Sequence, residues 1–461
     1  MFKKFVVFTL LIILSANFFV LSAQENKDRK IAQVKFQLTE FRNPSSLRNR
    51  FGLLQFSRDG KLLATSGTDR DLKIYDVEAG KLRTTIDSKK AGLGKLGFNA
   101  FSLSPDGKTA VAQEESYANL KIFDTETGNL LRTIDGRGKN SAGKLWMANS
   151  NGDLQGLEMS AVPSDQEWKN VLVAKNDGMF QIVDIENGEV RQTLQHTSNS
   201  SATWDFFKML FQAYVPVPLA FLISNGRFSD DGRKVIIANG DKTPTLWDAE
   251  TGKRIALLEP QTDRVYRAFF SPDSLLVATS DVDGATKIWN AADGKMIASF
   301  GSEKDKNIAV AWNSSSDAVV TIAPKTDARF WDARTGKMLF SLEKSQASIV
   351  TFSPDGKMLA TIHQDDKKQM AQIWRAEDGK LIATLPRAKS EDRAFSLVWS
   401  PDGRMLVTAS SDLVKVWSAD GTLLQTLENA VFPTRFNADG TLLATGGKND
   451  VGYVWQIDRN W

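Results

Sequence analysis

The stretch Ala394–Glu428, AFSLVWSPDGRMLVTASSDLVKVWSADGTLLQTLE, decides the fold. Its apolar run Phe395–Trp399 breaks at Ser400-Pro401-Asp402-Gly403, where proline presets φ for a tight turn and glycine supplies the left-handed residue that ends it. A second strand is expected over Met405–Ala409, ending at Ser410-Ser411-Asp412. A third runs Leu413–Trp417, and Ala419-Asp420-Gly421 turns the chain into a fourth over Leu423–Leu427. Every connection is short, so the module is an antiparallel four-strand meander.

Working outward, two turn signatures recur along the chain. The first is Ser-Pro-Asp-Gly or a relative, at Ser57–Gly60, Ser104–Gly107, a degraded Pro163-Ser164-Asp165, Ser229–Gly232, Ser271–Ser274, Ser314–Asp317, Ser353–Gly356, Ser400–Gly403 and Asn437–Gly440, nine in all. The second is the aromatic or apolar end of a third strand, followed by a turn that ends in glycine. It appears at Tyr75, Phe123, Val183, Trp247, Trp289, Trp331, Trp374 and Trp417, with a ninth strand end at Trp455. From Trp247 onward these positions lie 42, 42, 43, 43 and 38 residues apart, the period of a four-stranded propeller blade.

The third-strand tryptophans, the Trp247-Asp248 and Trp331-Asp332 dipeptides and the Ser-Pro-Asp-Gly turns resemble those of WD40-type β-propellers over roughly residues 31–458. The Gly-His dipeptide of that family is missing, since His196 and His363 are the only histidines and neither follows glycine. The family's hydrogen-bonded tetrad therefore cannot form as usual, and the match is to looser, Ser-Pro-Asp-Gly-rich bacterial relatives. The resemblance implies a non-catalytic scaffold binding a protein or peptide on the face formed by the loops between fourth and first and between second and third strands. The alternative is a propeller enzyme or small-ligand binder with acids at the channel mouth; fold alone does not choose.

The expected architecture is thus all-β: a single propeller of four-stranded antiparallel blades, nine by literal count with eight as the alternative. Ile31–Leu38 is a strand without a module, while the last module lacks a fourth strand. Pairing the two closes the ring and covers an edge otherwise free to aggregate. Blades bury their faces only against neighbours, so the repeats are read as one domain over 24–461. Apolar residues make up 42% and charged residues 25%, ordinary for a chain with a real core, and 27 Phe and 12 Trp suit stacked sheets.

The N-terminus carries Lys3-Lys4, an apolar run from Phe5 and Leu21-Ser22-Ala23 before the polar Gln24-Glu25-Asn26-Lys27. That reads as a secretory signal peptide over 1–23, with an uncleaved membrane anchor as the alternative. Export to a periplasm or the exterior is the expectation. The absence of cysteine excludes disulfides, thiol catalysis and Cys-ligated metal centres. Without Lys3 and Lys4 the chain has 56 basic against 55 acidic residues, so nucleic acid is not an indicated partner.

Two insertions break the period. Residues 136–150 are rich in Gly, Ser and Asn, whereas 201–220 are strongly apolar. Over Trp204–Tyr214 the polar Asp205, Lys208 and Gln212 recur at helical spacing, and Pro216 and Pro218 follow. Segment 203–219, with Trp204, Phe207 and Phe211, reads either as a lid on its own propeller or as a partner or membrane-surface contact. Basic residues precede several first strands: Arg50, Lys95, Lys144, Arg264, Lys306 and Arg393. They ring one channel mouth and could attract an anionic partner, but Asp305, Glu391 and Asp392 are mixed among them.

Acids stand between second and third strands at Asp69, Asp177, Asp241, Asp283, Asp327, Asp366, Asp412 and Asp450. Being repeated, they are read as turn builders rather than as metal or catalytic groups. Asp281-Val282-Asp283-Gly284 resembles the start of a calcium loop but lacks its closing Glu. No nucleophile motif, phosphate loop or His cluster appears, so no catalytic residue, cofactor or metal is assigned, and a monomer is expected.

Overall fold

The quoted module folds as its turns dictate. In the computed structural model, Ser396–Trp399, Met405–Ala409, Val414–Ser418 and Leu423–Leu427 pair in that order as one antiparallel sheet. The structure describes residues 30–38, 53–67, 69–93, 101–113, 119–135, 168–174, 179–195, 226–238, 242–281, 283–301, 309–323, 326–363, 369–386, 396–448 and 451–460.

Side-chain chemistry sets the first turn of each module. Ser400 Oγ donates to Asp402 Oδ1 at 2.6 Å and accepts from the Met405 amide at 2.9 Å, while Gly403 sits at φ 70°. The same hydroxyl–carboxylate pair recurs at Ser57–Asp59, Ser104–Asp106, Ser229–Asp231, Ser271–Asp273 and Ser353–Asp355. The sixth module corrects the sequence reading: its turn begins at Asn313, one residue before Ser314. There the Asn313 amide oxygen replaces the serine hydroxyl, accepting from the Ala318 amide at 3.0 Å, and Ser316 takes the glycine place at φ 61°.

Nine sheets result, covering 53–86, 101–135, 170–195, 226–257, 265–300, 309–341, 347–386, 396–427 and 430–457, referred to as blades 1 to 9. Blade 3 has three described strands; its degraded Pro163–Asp165 signature lies outside the described residues. So do the insertions 136–150 and 201–220, and among the described residues there is no helix.

The blades form one ring because each buries its faces against two neighbours. Trp417, 2% exposed, packs with Leu397 and Leu406 of its own blade and Ile362, Ile373 and Leu385 of blade 7. Equivalent clusters join every successive pair. The last joins blade 9 to blade 1, through Leu442, Ala444 and Val454 against Leu54, Leu63 and Tyr75. That interface makes the array a closed propeller of nine blades, and the alternative of eight falls away.

Closure uses the lone N-terminal strand, as expected. Ala32–Leu38 pairs antiparallel with Gly452–Ile457 and so becomes the outer strand of blade 9. Ile31 and Ala32 join the cluster with blade 8, whereas Leu38, with no exposed surface, joins the one with blade 1. Gln425 of blade 8 holds the strand by its backbone: its Oε1 accepts from the Ala32 amide at 2.8 Å and its Nε2 donates to the Ala32 carbonyl at 2.9 Å. A Cβ on Gly80, the turn glycine of blade 1, would meet Phe36 Cβ at 3.2 Å. Elsewhere the same turn glycines lie against the outer strand of the preceding blade, as Gly336 does against Ala298.

Part of the usual tetrad survives without its histidine. The indole Nε1 of Trp289, Trp331, Trp374, Trp417 and Trp455 donates to Thr279, Thr321, Thr361, Thr408 and Thr445 on the adjacent second strand, at 2.8 to 3.0 Å. In blade 4 the second strand offers Ile237 instead, and Trp247 turns to Thr245 of its own strand at 2.8 Å. In blades 2 and 3 tryptophan and threonine are lost together, Phe123 standing with Ala112 and Val183 with Val173, whereas blade 1 keeps Thr65 beside Tyr75. A buried donor without an acceptor, or the reverse, costs more than losing both. In blade 5 the Gln261 side chain, in the loop before the inner strand Val265–Phe270, donates to Thr279 Oγ1.

Candidate binding site at the inner strands

Of the cations read as ringing the channel mouth, Arg264 alone is described. It stands immediately before the inner strand Val265–Phe270, half-buried, with Nε 3.9 Å from Asp263 Oδ1. The acid neighbour that the sequence places beside it thus offsets its charge. Arg50, Lys95, Lys144, Lys306, Arg393, Trp204, Phe207 and Phe211 lie outside the described residues.

The described acids near the turns between second and third strands make varied contacts. Asp281 has no exposed surface; its Oδ1 accepts from the Ala285 amide at 2.9 Å and its Oδ2 from the Asp263 amide at 3.4 Å. The segment resembling a calcium loop is therefore a tight turn closed by its first carboxylate. Asp69 is ion-paired with Lys73, and Asp327 Oδ1 accepts from the Gln346 amide at 3.5 Å. Asp412 instead donates its own amide to Ser410 Oγ at 3.1 Å. Asp177, Asp241, Asp366 and Asp450 are outside the described residues.

The first-turn carboxylates Asp59, Asp106, Asp355 and Asp402 are held below their ordinary value. Burial alone would raise Asp402, but the Ser400 hydroxyl, the Arg404 amide and the Arg459 cation together bring it below its ordinary value. Asp59, Asp106 and Asp355 sit low for the same balance of burial against a serine hydroxyl, a backbone amide and a lysine. Such groups make poor proton donors near neutrality.

Three arginines on the inner strands, which bound the central channel, went unnoticed when each first strand was read as a repeat of the last. Arg227 lies on Gly226–Phe228 of blade 4, Arg267 on Val265–Phe270 of blade 5 and Arg435 on Ala430–Phe436 of blade 9, all half-buried. Burial, then the neighbouring Arg267 cation, lowers Arg227 to about 10 against an opposing pull from Asp230. Alignment of the modules on their turn serines carries the missed signal. Two residues before the turn, the other described blades place Gln55, Ser102, Phe269, Ala311, Thr351 and Val398.

Comparison with known proteins agrees with this architecture. The family model for the WD domain, G-beta repeat, matches residues 52–76 and 252–290, and that for eukaryotic translation initiation factor eIF2A matches 302–432. The chain thus has the β-propeller fold and carries WD40-type repeats over the residues that the WD-domain model matches. Among curated proteins it is similar to periodic tryptophan protein 2 of Saccharomyces cerevisiae, 30% identical over 131 residues, covering 25% of this chain and 14% of that protein. It is also similar to the U4/U6 small nuclear ribonucleoprotein PRP4-like protein of Arabidopsis thaliana, 41% identical over 80 residues, covering 17% and 14%. The matched regions thus span a small part of each relative.

Two solved structures share the fold. The C-terminal WD40 domain of Sif2 superposes with a TM-score of 0.50 at 14% identity, covering 93% of this chain and 99% of that one. The computationally designed Ika8 protein gives 0.50 at 21% identity, covering 78% and 95%.

Proposed function

We propose that this chain is an exported, non-catalytic scaffold that binds a protein or peptide partner. WD40 propellers are typically protein-interaction scaffolds. The observation that carries the non-catalytic part is where the repeated polar groups are spent. Serine hydroxyls and carboxylates that could pass for reactive groups are engaged with each other and with backbone amides of the same turn. A propeller built this way presents loops on a rigid frame, which favours recognition over chemistry.

The partner face is the one formed by the loops between fourth and first and between second and third strands. Segment 203–219 belongs to such a connection, between the described strands Val190–Gln195 and Gly226–Phe228. Export rests on the leader-like residues 1–23. Fractionation, with N-terminal sequencing of the purified protein, is expected to find it outside the cytoplasm and beginning near Gln24.

The test is cross-linking of the protein in its native envelope fraction, with the cross-linked sites mapped. Cross-links should gather around Asp69, Asp283, Asp327 and Asp412, on the partner face. Cross-links gathered at the opposite turns, around Asp59, Asp355 and Asp402, would refute the face. Deleting 203–219 should weaken partner capture if that segment touches the partner, and lower stability instead if it covers its own propeller.

A further inference from the structure

Departures from a repeat mark what one blade does that the others do not. The position two residues before the first turn is uncharged in blades 1, 2, 5, 6, 7 and 8, but arginine in blades 4 and 9, at Arg227 and Arg435. Blade 5 places its arginine, Arg267, two residues further from its turn. An inner-strand guanidinium is costly to desolvate, and a second one beside it adds repulsion. Arg227 feels both, with Asp230 as a partial counter-charge.

Nine blades in one ring set blade 9 nearly across the channel from blades 4 and 5. Arg435 and Arg227 occupy the same level of their strands, and Arg267 lies about 7 Å along from that level at the usual rise per residue. Cations on opposite walls and at two depths suit an extended ligand with several carboxylates better than one small anion. Guanidinium forks bind carboxylates in pairs of parallel hydrogen bonds, and an acidic ligand would relieve the repulsion at blades 4 and 5. Resting on the scaffold reading, we infer that the channel bounded by Arg227 and Arg267 on one wall and Arg435 on the other receives an acidic segment of a partner protein.

A fluorescein-labelled deca-glutamate peptide, followed by anisotropy against the intact purified protein at low ionic strength, tests this. The peptide should bind, and binding should weaken with added salt. R227Q/R267Q should lose about tenfold or more in affinity, R435Q a smaller factor, and R227K/R267K less than the glutamine pair. K337Q, on an exposed turn of blade 6, should bind like the wild type. Binding within twofold of wild type in R227Q/R267Q overturns the inference. Displacement of the peptide by inorganic phosphate at a concentration equal to its carboxylates does so too, because it would show a general oxyanion site. Should R227Q/R267Q lose its native near-ultraviolet circular dichroism, R435Q decides: unchanged affinity in that variant refutes the channel. Partner cross-links on the loop face without arginine-dependent peptide binding would sink this inference and leave the scaffold reading standing.

Discussion

Leu38→Ala tests the closure of the ring with one small change. Leu38 is fully buried, at the end of a strand that reaches the last blade from the other end of the chain, and it packs with Leu63, Tyr75, Leu442 and Val454 at the junction of blades 9 and 1. Its truncation removes three buried carbons, one methine and two methyls, and leaves a cavity that two rigid sheets cannot easily close. The expected cost is about 2–5 kcal/mol, toward the upper part because both walls are paired strands. Equilibrium urea unfolding followed by tryptophan fluorescence reads it, since Trp455 lies in the strand that Ala32–Leu38 covers. A matched substitution on the same strand, Lys35→Ala, removes an exposed side chain and should stay within about 0.5 kcal/mol. Removing residues 24–42 altogether should lower stability further and promote oligomers, because Gly452–Ile457 then becomes a bare edge. If Leu38→Ala unfolds with the wild-type midpoint and slope, the strand does not hold the ring shut and the closure argument fails.

Three further outcomes follow from the packing. Trp417→Phe should cost about 1–3 kcal/mol, chiefly by leaving the Thr408 hydroxyl buried without its indole donor, and Trp417→Phe/Thr408→Ala should cost less than the sum of the single changes; strict additivity in a thermodynamic cycle would contradict the account. Gly421→Ala should destabilise by more than 1 kcal/mol, as an estimate of order of magnitude, because the residue sits at φ 91° and its new Cβ would collide with Ala383 Cβ of blade 7; Ala383→Gly should recover only the steric part. The first-turn carboxylates Asp59, Asp106, Asp355 and Asp402 titrate below their ordinary 3.8, so the unfolded chain binds more protons in that range. Their stabilising contribution is complete above the unfolded value and is lost as pH falls through the folded values, so a melting temperature that holds constant from pH 5 down to 2 would refute it.

The four-stranded module, the turn chemistry and the pairing of the chain ends are legible in the sequence, whereas the choice of nine blades over eight came from the structure. Ser-Pro-Asp-Gly carries its own hydrogen bonds, a spacing near 42 residues from Trp247 onward marks four-stranded blades, and a strand without a module together with a module without a strand names its partner. Even the sixth-module error is a local one, made where Asn313 replaces the serine hydroxyl by an amide that can do the same work. The Trp–Thr bonds are half legible: paired loss at Phe123 with Ala112 can be read from an alignment of modules, but the switch of Trp247 to Thr245 follows from strand register. The site was less legible. A basic residue before a strand is easy to see, yet Arg264 has Asp263 beside it in space as in sequence, and its charge is largely offset. The sequence by itself determined a propeller of four-stranded blades, nine by literal count, since periodic burial can only be satisfied by neighbours, and the packing of blade 9 on blade 1 settled nine over eight. Only the tertiary structure decided that Arg227 and Arg267, forty residues apart, share one wall and feel each other's charge, because that proximity arises from the stacking of separate blades.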